Sequence, residues 1–124
     1  MHRPMIALFT VSLLALGCGA SYPMPAQSLA DAQSAERSAS ELGAANQPKA
    51  QLYLQLAHEQ IAKASAAMKE GNNERADALL MRARADAELA IALTRDQGAR
   101  TGAQNAIQQS NAQDTTNVNQ GVAR

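Results

Sequence analysis

The sequence has very few aromatic residues, a single cysteine and no net charge. Among 124 residues there are one Phe, two Tyr and no Trp, which excludes a core built on large aromatic side chains. One cysteine excludes an internal disulfide, and one cysteine with two histidines is too few for a structural zinc site. Eleven basic side chains balance eleven acidic ones, so the basic surface typical of nucleic-acid-binding proteins is absent.

Alanine dominates the remaining composition. It has the highest helix propensity of the amino acids but buries little apolar surface. The sequence therefore predicts an all-α protein with a thin core, large enough for one small domain. We expect no cofactor and no small-molecule substrate.

The first eighteen residues have the pattern of a lipoprotein signal peptide. His2 and Arg3 give a charged start, and residues 6–16 form an apolar stretch that is too short to span a bilayer. The stretch leads to Gly17 and Cys18, which resembles a bacterial lipobox with cleavage between these two residues. The alternatives are an ordinary signal peptide with an unpaired thiol, and a short uncleaved anchor. An unpaired thiol is unusual in an oxidising compartment, so residues 1–17 are interpreted as a lipoprotein signal peptide.

This interpretation predicts the cellular location of the protein. Cys18 would become the first mature residue, with acyl chains on its sulfur and its amine, and several chains anchor a protein firmly. Gly19 and Ala20 follow, rather than aspartate, and by resemblance to Gram-negative lipoproteins this favours the outer membrane, facing the periplasm. The lipid would make the membrane the protein's first partner.

A tether and a first helix are predicted next. Residues 18–27 include Pro23 and Pro25, so we expect an extended, flexible segment. A helical domain is predicted over residues 28–100. Its first helix spans 28–42 and ends at Gly43, because apolar positions recur every three or four residues at Leu29, Ala32, Ala35, Ala39 and Leu42.

Two further helices have longer seams. Asn46, Gln47 and Pro48 form a helix start signal, with Asn46 as the capping residue. The seam of the second helix consists of Tyr53, Ala57, Ile61, Ala64 and Met68. The segment 71–73 (Gly-Asn-Asn) should end this helix and cap the third, whose seam consists of Ala76, Leu80, Ala83, Ala87, Ala90 and Thr94.

The short turn at 71–73 requires the second and third helices to be antiparallel neighbours. Gly98 is interpreted as the end of the third helix, and the alternative is a frayed helix that continues to Gln109. Residues 101–124 are rich in Gln, Asn, Thr and Gly and are predicted to form a disordered tail.

Leu52 and Leu56 form a second apolar stripe on the second helix, about 100° away from the Ala57 seam. One interpretation is that the first helix packs there and completes a three-helix bundle. The other is a partner surface, for a second copy of this chain or for another envelope protein. Small domains without disulfides or metals have little net stability, which makes a partner a reasonable expectation.

The hairpin resembles a family of small bacterial lipoproteins known as domain of unknown function 4398. The likeness covers most of residues 18–100. The residues that carry the likeness in the second predicted helix are 56–64 (LAHEQIAKA). In the third predicted helix they are Arg75-Ala76, Arg82-Ala83 and residues 86–90 (DAELA). The resemblance implies an alanine-seamed helical hairpin and carries no activity or functional residues.

We find no catalytic set in the sequence. His58 has no histidine or cysteine near it for metal binding, and carboxylates are spaced to pair with arginines rather than with each other. The sequence therefore favours a non-enzymatic structural or adaptor lipoprotein of the cell envelope. Two alternatives stay open: a spacer in contact with the cell wall, ranked lower because the final residue is Arg124 rather than a lysine suited to covalent attachment, and an accessory hydrolase.

Overall fold

The structure, a computed structural model, describes residues 21–122, with side chains up to residue 118. The helices are α1 (Ala26–Glu41), α2 (Pro48–Lys69) and α3 (Asn73–Val122), with a 3₁₀ turn at Ala44–Asn46 between α1 and α2. No strand occurs in this part of the chain, so the all-α prediction is confirmed. The predicted signal peptide 1–17, the cleavage site at Gly17 and Cys18, and residues 123–124 lie outside the described residues.

Glycines end α1 and α2 at the predicted places. Gly43 and Gly71 have φ values of +85° and +75°, a left-handed conformation that glycine adopts without steric cost. At the end of α2, Gly71 N donates to Met68 O at 3.0 Å and Asn72 N donates to Ala67 O at 2.9 Å. This pair of bonds is a Schellman motif, which satisfies the last carbonyls of the helix.

The two helix starts differ in how they are capped. Asn72 Oδ1 accepts a hydrogen bond from Arg75 N at 3.3 Å, so Asn72 caps α3 as predicted. The capping role predicted for Asn46 is wrong, because Asn46 belongs to the 3₁₀ turn and Gln47, in extended conformation, precedes the helix. Pro48 is the first helical residue, where its missing N–H leaves no bond unmade.

Alanines fill the interface between the antiparallel helices α2 and α3. All six predicted seam residues of α3 are buried, from Ala76 at 0 % exposed to Thr94 at 8 %. On α2 the predicted residues Ala57, Ile61 and Ala64 are buried, while Tyr53 and Met68 are half-buried at the edges. Ala50 and Ala67 are also buried and extend the same seam at both ends. Small side chains allow the two backbones to approach closely, so the core is narrow.

Helix α1 packs on the hairpin and completes a three-helix bundle. Ala32 and Ala39 are its buried residues, and α1 packs more extensively on α3 than on α2. Ala32 lies in a cluster with Ile61, Ala64 and Leu80. Leu42, predicted on the apolar face, is 44 % exposed instead, because it follows the last helical residue and leaves the bundle at the turn.

Residues 101–122 are helical, which corrects the prediction of a disordered tail over 101–124. Helix α3 passes through Gly98 and Gly102 without a break. Each added residue extends a helix by one hydrogen bond once the helix is nucleated, and no proline follows Pro48 to stop it. At about 1.5 Å per residue, the 50 residues of α3 span roughly 75 Å.

Candidate functional site

The segment before α1 is docked on the bundle, which corrects the prediction of a flexible tether over 18–27. Residues 21–25 have no regular secondary structure, and Ala26 and Gln27 already belong to α1. Tyr22 Oη donates to Asp77 Oδ2 at 2.6 Å, and Asn73 Nδ2 donates to Tyr22 O at 2.9 Å. These bonds hold the chain against the first turn of α3, directly beside the α2–α3 turn.

Asp77 is the centre of this contact. Its second carboxylate oxygen accepts a hydrogen bond from Ser28 Oγ in the first turn of α1. Hydrogen bonds to the charged form, first from Ser28 and then from Tyr22, lower the pKa of Asp77. The bond to Asp77 raises the pKa of the Tyr22 hydroxyl, since the phenol must stay protonated to donate. We refer to Tyr22, Ser28, Asn73 and Asp77 as the N-terminal clasp.

The N-terminal clasp was not predicted from the sequence. Its members are distant in the chain, since Tyr22 and Asp77 are 55 residues apart. Asp77 follows a seam residue and has the appearance of an ordinary surface carboxylate. The only local signal is that an aromatic residue occurs in the segment predicted as a tether, where small and polar residues surround it.

Helix α1 covers one face of the α2–α3 hairpin and leaves the other face open. On the covered side, Glu36 of α1 contacts His58 at 2.8 Å and Asp31 lies 3.6 Å from Arg84. On the opposite side, Gln60 of α2 donates a hydrogen bond to Asp86 of α3. This bond sets the register of the hairpin on its open side.

The predicted stripe of Leu52 and Leu56 lies on the open face. Leu56 and His58 flank Ala57 by about 100° each, and His58 faces α1, so Leu56 faces away from it. Leu52 is 54 % exposed and Leu56 is half-buried. The interpretation that α1 packs on this stripe is therefore wrong, since α1 lies on the other side of the hairpin.

Two leucines of α3 lie next to this stripe. The Gln60–Asp86 pair and the antiparallel direction place Leu56 level with residues near 90, between Leu89 and Leu93. Leu89 is 40 % exposed, and Leu93 is half-buried. Leu52, Leu56, Leu89 and Leu93 together form the leucine patch, which lies near the end of the bundle remote from the clasp.

Several titratable side chains form surface ion pairs. The His58 side chain is 73 % exposed and forms an ion-pair contact with Glu36. A hydrogen bond to Glu88 raises the pKa of the Arg84 guanidinium. Within residues 21–118 no three His, Cys, Asp or Glu side chains come together as metal ligands.

Beyond Thr94 the helix α3 leaves the bundle. Every side chain from residue 95 to residue 118 is exposed, including Ile107 at 62 % and Val118 at 64 %. Gln97 lies beside Asn46, Gln47 and Pro48 at the start of α2, and from residue 98 onward the free segment extends beyond the bundle. In the described part of the chain, no helix has the length and apolar character needed to cross a membrane.

These features define the class of the protein. It is an elongated all-α bundle with an alanine core, a docked N-terminal segment and a long helix that continues beyond the bundle.

The chain belongs to the family described as Domain of unknown function (DUF4398), whose profile matches residues 27–106. The matched region spans α1, α2 and α3 through the first part of the free segment. No curated protein and no solved structure matches this chain.

Proposed function

We propose that this protein is a cell-envelope lipoprotein, anchored through lipid on Cys18, that acts as a structural or adaptor module rather than as an enzyme. The sequence around Cys18 supports the anchor, because an apolar stretch leads to the single cysteine of the chain. Gly19 and Ala20 favour the outer membrane, on its periplasmic side.

The position of the N-terminal clasp carries this proposal. Tyr22 follows Cys18 by four residues, and an extended chain spans at most about 3.6 Å per residue. The clasp therefore lies within roughly 15 Å of the acyl chains. A lipid at Cys18 would hold the α2–α3 turn next to the membrane surface.

The free segment of α3 lies at the other end of the molecule. Helix α3 begins at Asn73 beside the clasp, runs the length of the bundle and continues to Val122. The clasp beside the membrane anchor and the start of the free segment are thus separated by about 33 Å of helix, the part of α3 that packs in the bundle. This separation suits a module that presents a binding surface away from its anchor, and anchoring raises the effective concentration of such a surface for other envelope components.

A cell-wall spacer is the second candidate function. The length of α3 favours it, since roughly 75 Å of helix can separate two layers of the envelope. For an accessory hydrolase, no observation on the described residues offers support. The pKa shifts fall on Tyr22, Asp77 and Arg84, and each follows from a hydrogen bond with a structural role.

Replacing Cys18 tests the anchor. In cells that produce the protein, Cys18→Ser should move it out of the membrane fraction or leave an unprocessed precursor, whereas Ser21→Ala, as the matched control, should stay membrane-bound. Mass spectrometry of the purified native protein should show acyl chains on the N-terminal cysteine. An unmodified thiol, with equal membrane retention of both variants, would refute the proposal.

A further inference from the structure

Helix α3 carries one pattern of three residues twice on its open face. A basic, an apolar and an acidic residue follow each other at intervals of seven, first as Arg82, Leu89 and Asp96 and then as Arg100, Ile107 and Asp114. The two triplets are 18 residues apart, which is five full helical turns, so they lie on the same face. We call these six residues the α3 stripe.

The α3 stripe is accessible along its whole length. Arg82, Asp96, Arg100 and Asp114 are exposed, and Leu89 and Ile107 are 40 % and 62 % exposed. Arg84, two residues from Arg82 and therefore about 200° around the helix, faces α1 through Asp31. The stripe consequently lies on the side that α1 leaves open, and Leu89 belongs to the leucine patch.

We infer that the α3 stripe binds a second copy of this chain in antiparallel orientation, with a two-fold axis at residue 98. Residues at equal distances before and after 98 then face each other. Arg82 meets Asp114 of the second copy, Leu89 meets Ile107, and Asp96 meets Arg100. Every contact pairs opposite charges or two apolar side chains, and each occurs twice because the two-fold interface is isologous.

Charge decides between this orientation and a parallel one. In a parallel two-fold pair each stripe residue faces its own copy, so Arg82, Asp96, Arg100 and Asp114 would each meet a like charge. Like charges held face to face oppose association. The Asp96–Arg100 ion pair within the chain, at 2.9 Å, would become part of a cluster of four charges in the antiparallel dimer.

The interface has the size of a specific one. The stripe runs from 82 to 114, about 50 Å along the helix axis, and contact between two helices over this length buries on the order of 600–800 Å² per chain. Ile107 of the second copy, which lies beside Leu89, would also contact Leu56. The dimer therefore covers the leucine patch, which α1 leaves open.

The dimer also supplies packing for the free segment. That segment includes Gly98 and Gly102 and several Asn and Thr residues, which are weak helix formers. Most helices in proteins depend on tertiary packing for their stability, and every described side chain of this segment is exposed. In the dimer it lies along the open face of the second copy.

One consequence rests on the proposed function, although the pairing itself does not. Each α3 begins 25 residues before the two-fold axis, so the two clasps lie roughly 75 Å apart at opposite ends of the dimer. Lipid on each Cys18 would attach the dimer to membrane at two separated points.

Cysteine cross-linking tests the inference on the full-length chain in mild detergent. Leu89→Cys and Ile107→Cys variants, carrying tags of different size, are mixed and oxidised. The expected product is the mixed dimer, at least tenfold above the parent protein, whose only cysteine is Cys18. The matched control pair is Arg84→Cys with Ala112→Cys. These positions lie level with each other across the same axis but on the opposite face, and they should not cross-link.

A charge exchange gives a second readout. Asp114→Arg should weaken dimerisation at least tenfold in sedimentation, and Arg82→Asp added to it should restore the affinity to within about threefold, because the ion pair is remade in reverse. A monomer at all concentrations would overturn the inference. So would cross-linking of Leu89→Cys only to itself, which indicates a parallel pair, or failure of the second exchange to restore association. Since none of these measurements depends on lipid at Cys18, they can fail while the proposed anchor stands.

Discussion

Leu80 offers the most direct test of the alanine core. It is the one large side chain in the described residues that is fully buried, at 0 % exposed. Its cluster includes Ala32, Ala64, Ala76 and Ala83. Ile61 is the one larger buried neighbour in this cluster, and alanine side chains have no rotamers with which to fill a void, so a cavity made at Leu80 should largely persist.

The expected cost of Leu80→Ala follows from this environment. Removing three carbon groups forfeits about 0.8 kcal/mol each, and a cavity that does not collapse raises the total to about 3–5 kcal/mol. A bundle of this size has a free energy of unfolding of roughly 4–10 kcal/mol. The substitution should therefore remove close to half of the stability or more.

Met81 is the matched control, because it is adjacent on the same helix and 66 % exposed. Met81→Ala should change the free energy of unfolding by less than about 1 kcal/mol. Both variants would be compared with the parent protein by urea unfolding followed by far-ultraviolet circular dichroism. Equal losses in the two variants would show that the seam of α3 is placed on the wrong face.

Three further predictions concern the clasp, the turn and the free segment. The lowered pKa of Asp77 contributes stability that is present above the unfolded pKa of about 4 and is lost as pH falls through the folded value. The raised pKa of Tyr22 contributes stability that is lost as pH rises above about 10. The midpoint of thermal unfolding should fall at both extremes, and Asp77→Asn should flatten the acidic side; an unchanged profile would contradict the clasp. Gly71→Ala should lower the free energy of unfolding by about 1 kcal/mol, because φ is positive at this position. Gly98→Ala, inside a helix, should raise it by about 0.5–1 kcal/mol. Effects of the same sign in the two variants would argue against the turn geometry. Deleting residues 104–124 should lower the helical circular dichroism signal per molecule by about a fifth, and no loss would indicate that this segment is not helical.

Local patterns in the sequence were enough to predict the three helices and their turns. Gly43, Gly71 and Asn72 act on the backbone within a few residues, so their effects do not depend on distant contacts. The spacing of three and four residues along α3 likewise places Ala83 and Ala87 on one face wherever the helix packs. The family resemblance rested on the same residues, and it is confirmed by the match over 27–106.

Two predictions were wrong because a local sequence pattern does not show contacts between residues that are distant in the chain. The segment around Pro23 and Pro25 has the composition of a tether, yet Pro25 is buried and Tyr22 is bound to Asp77. The face of the hairpin that α1 covers was also not predictable from the sequence. Leu52 and Leu56 offer more apolar surface than the alanines on which α1 packs. Close approach to the alanine seam, with ion pairs from Asp31 and Glu36, favours the opposite side.

The amino-acid sequence by itself determined the helix boundaries through α2 and most of the residues that form each seam, because these depend on propensity and spacing within a single helix. Only the tertiary structure decided which side of the hairpin stays open, where the N-terminal segment docks, and how Leu52 and Leu56 come to lie beside Leu89 and Leu93. Those outcomes depend on how three helices pack against each other, which residue spacing within one helix does not specify.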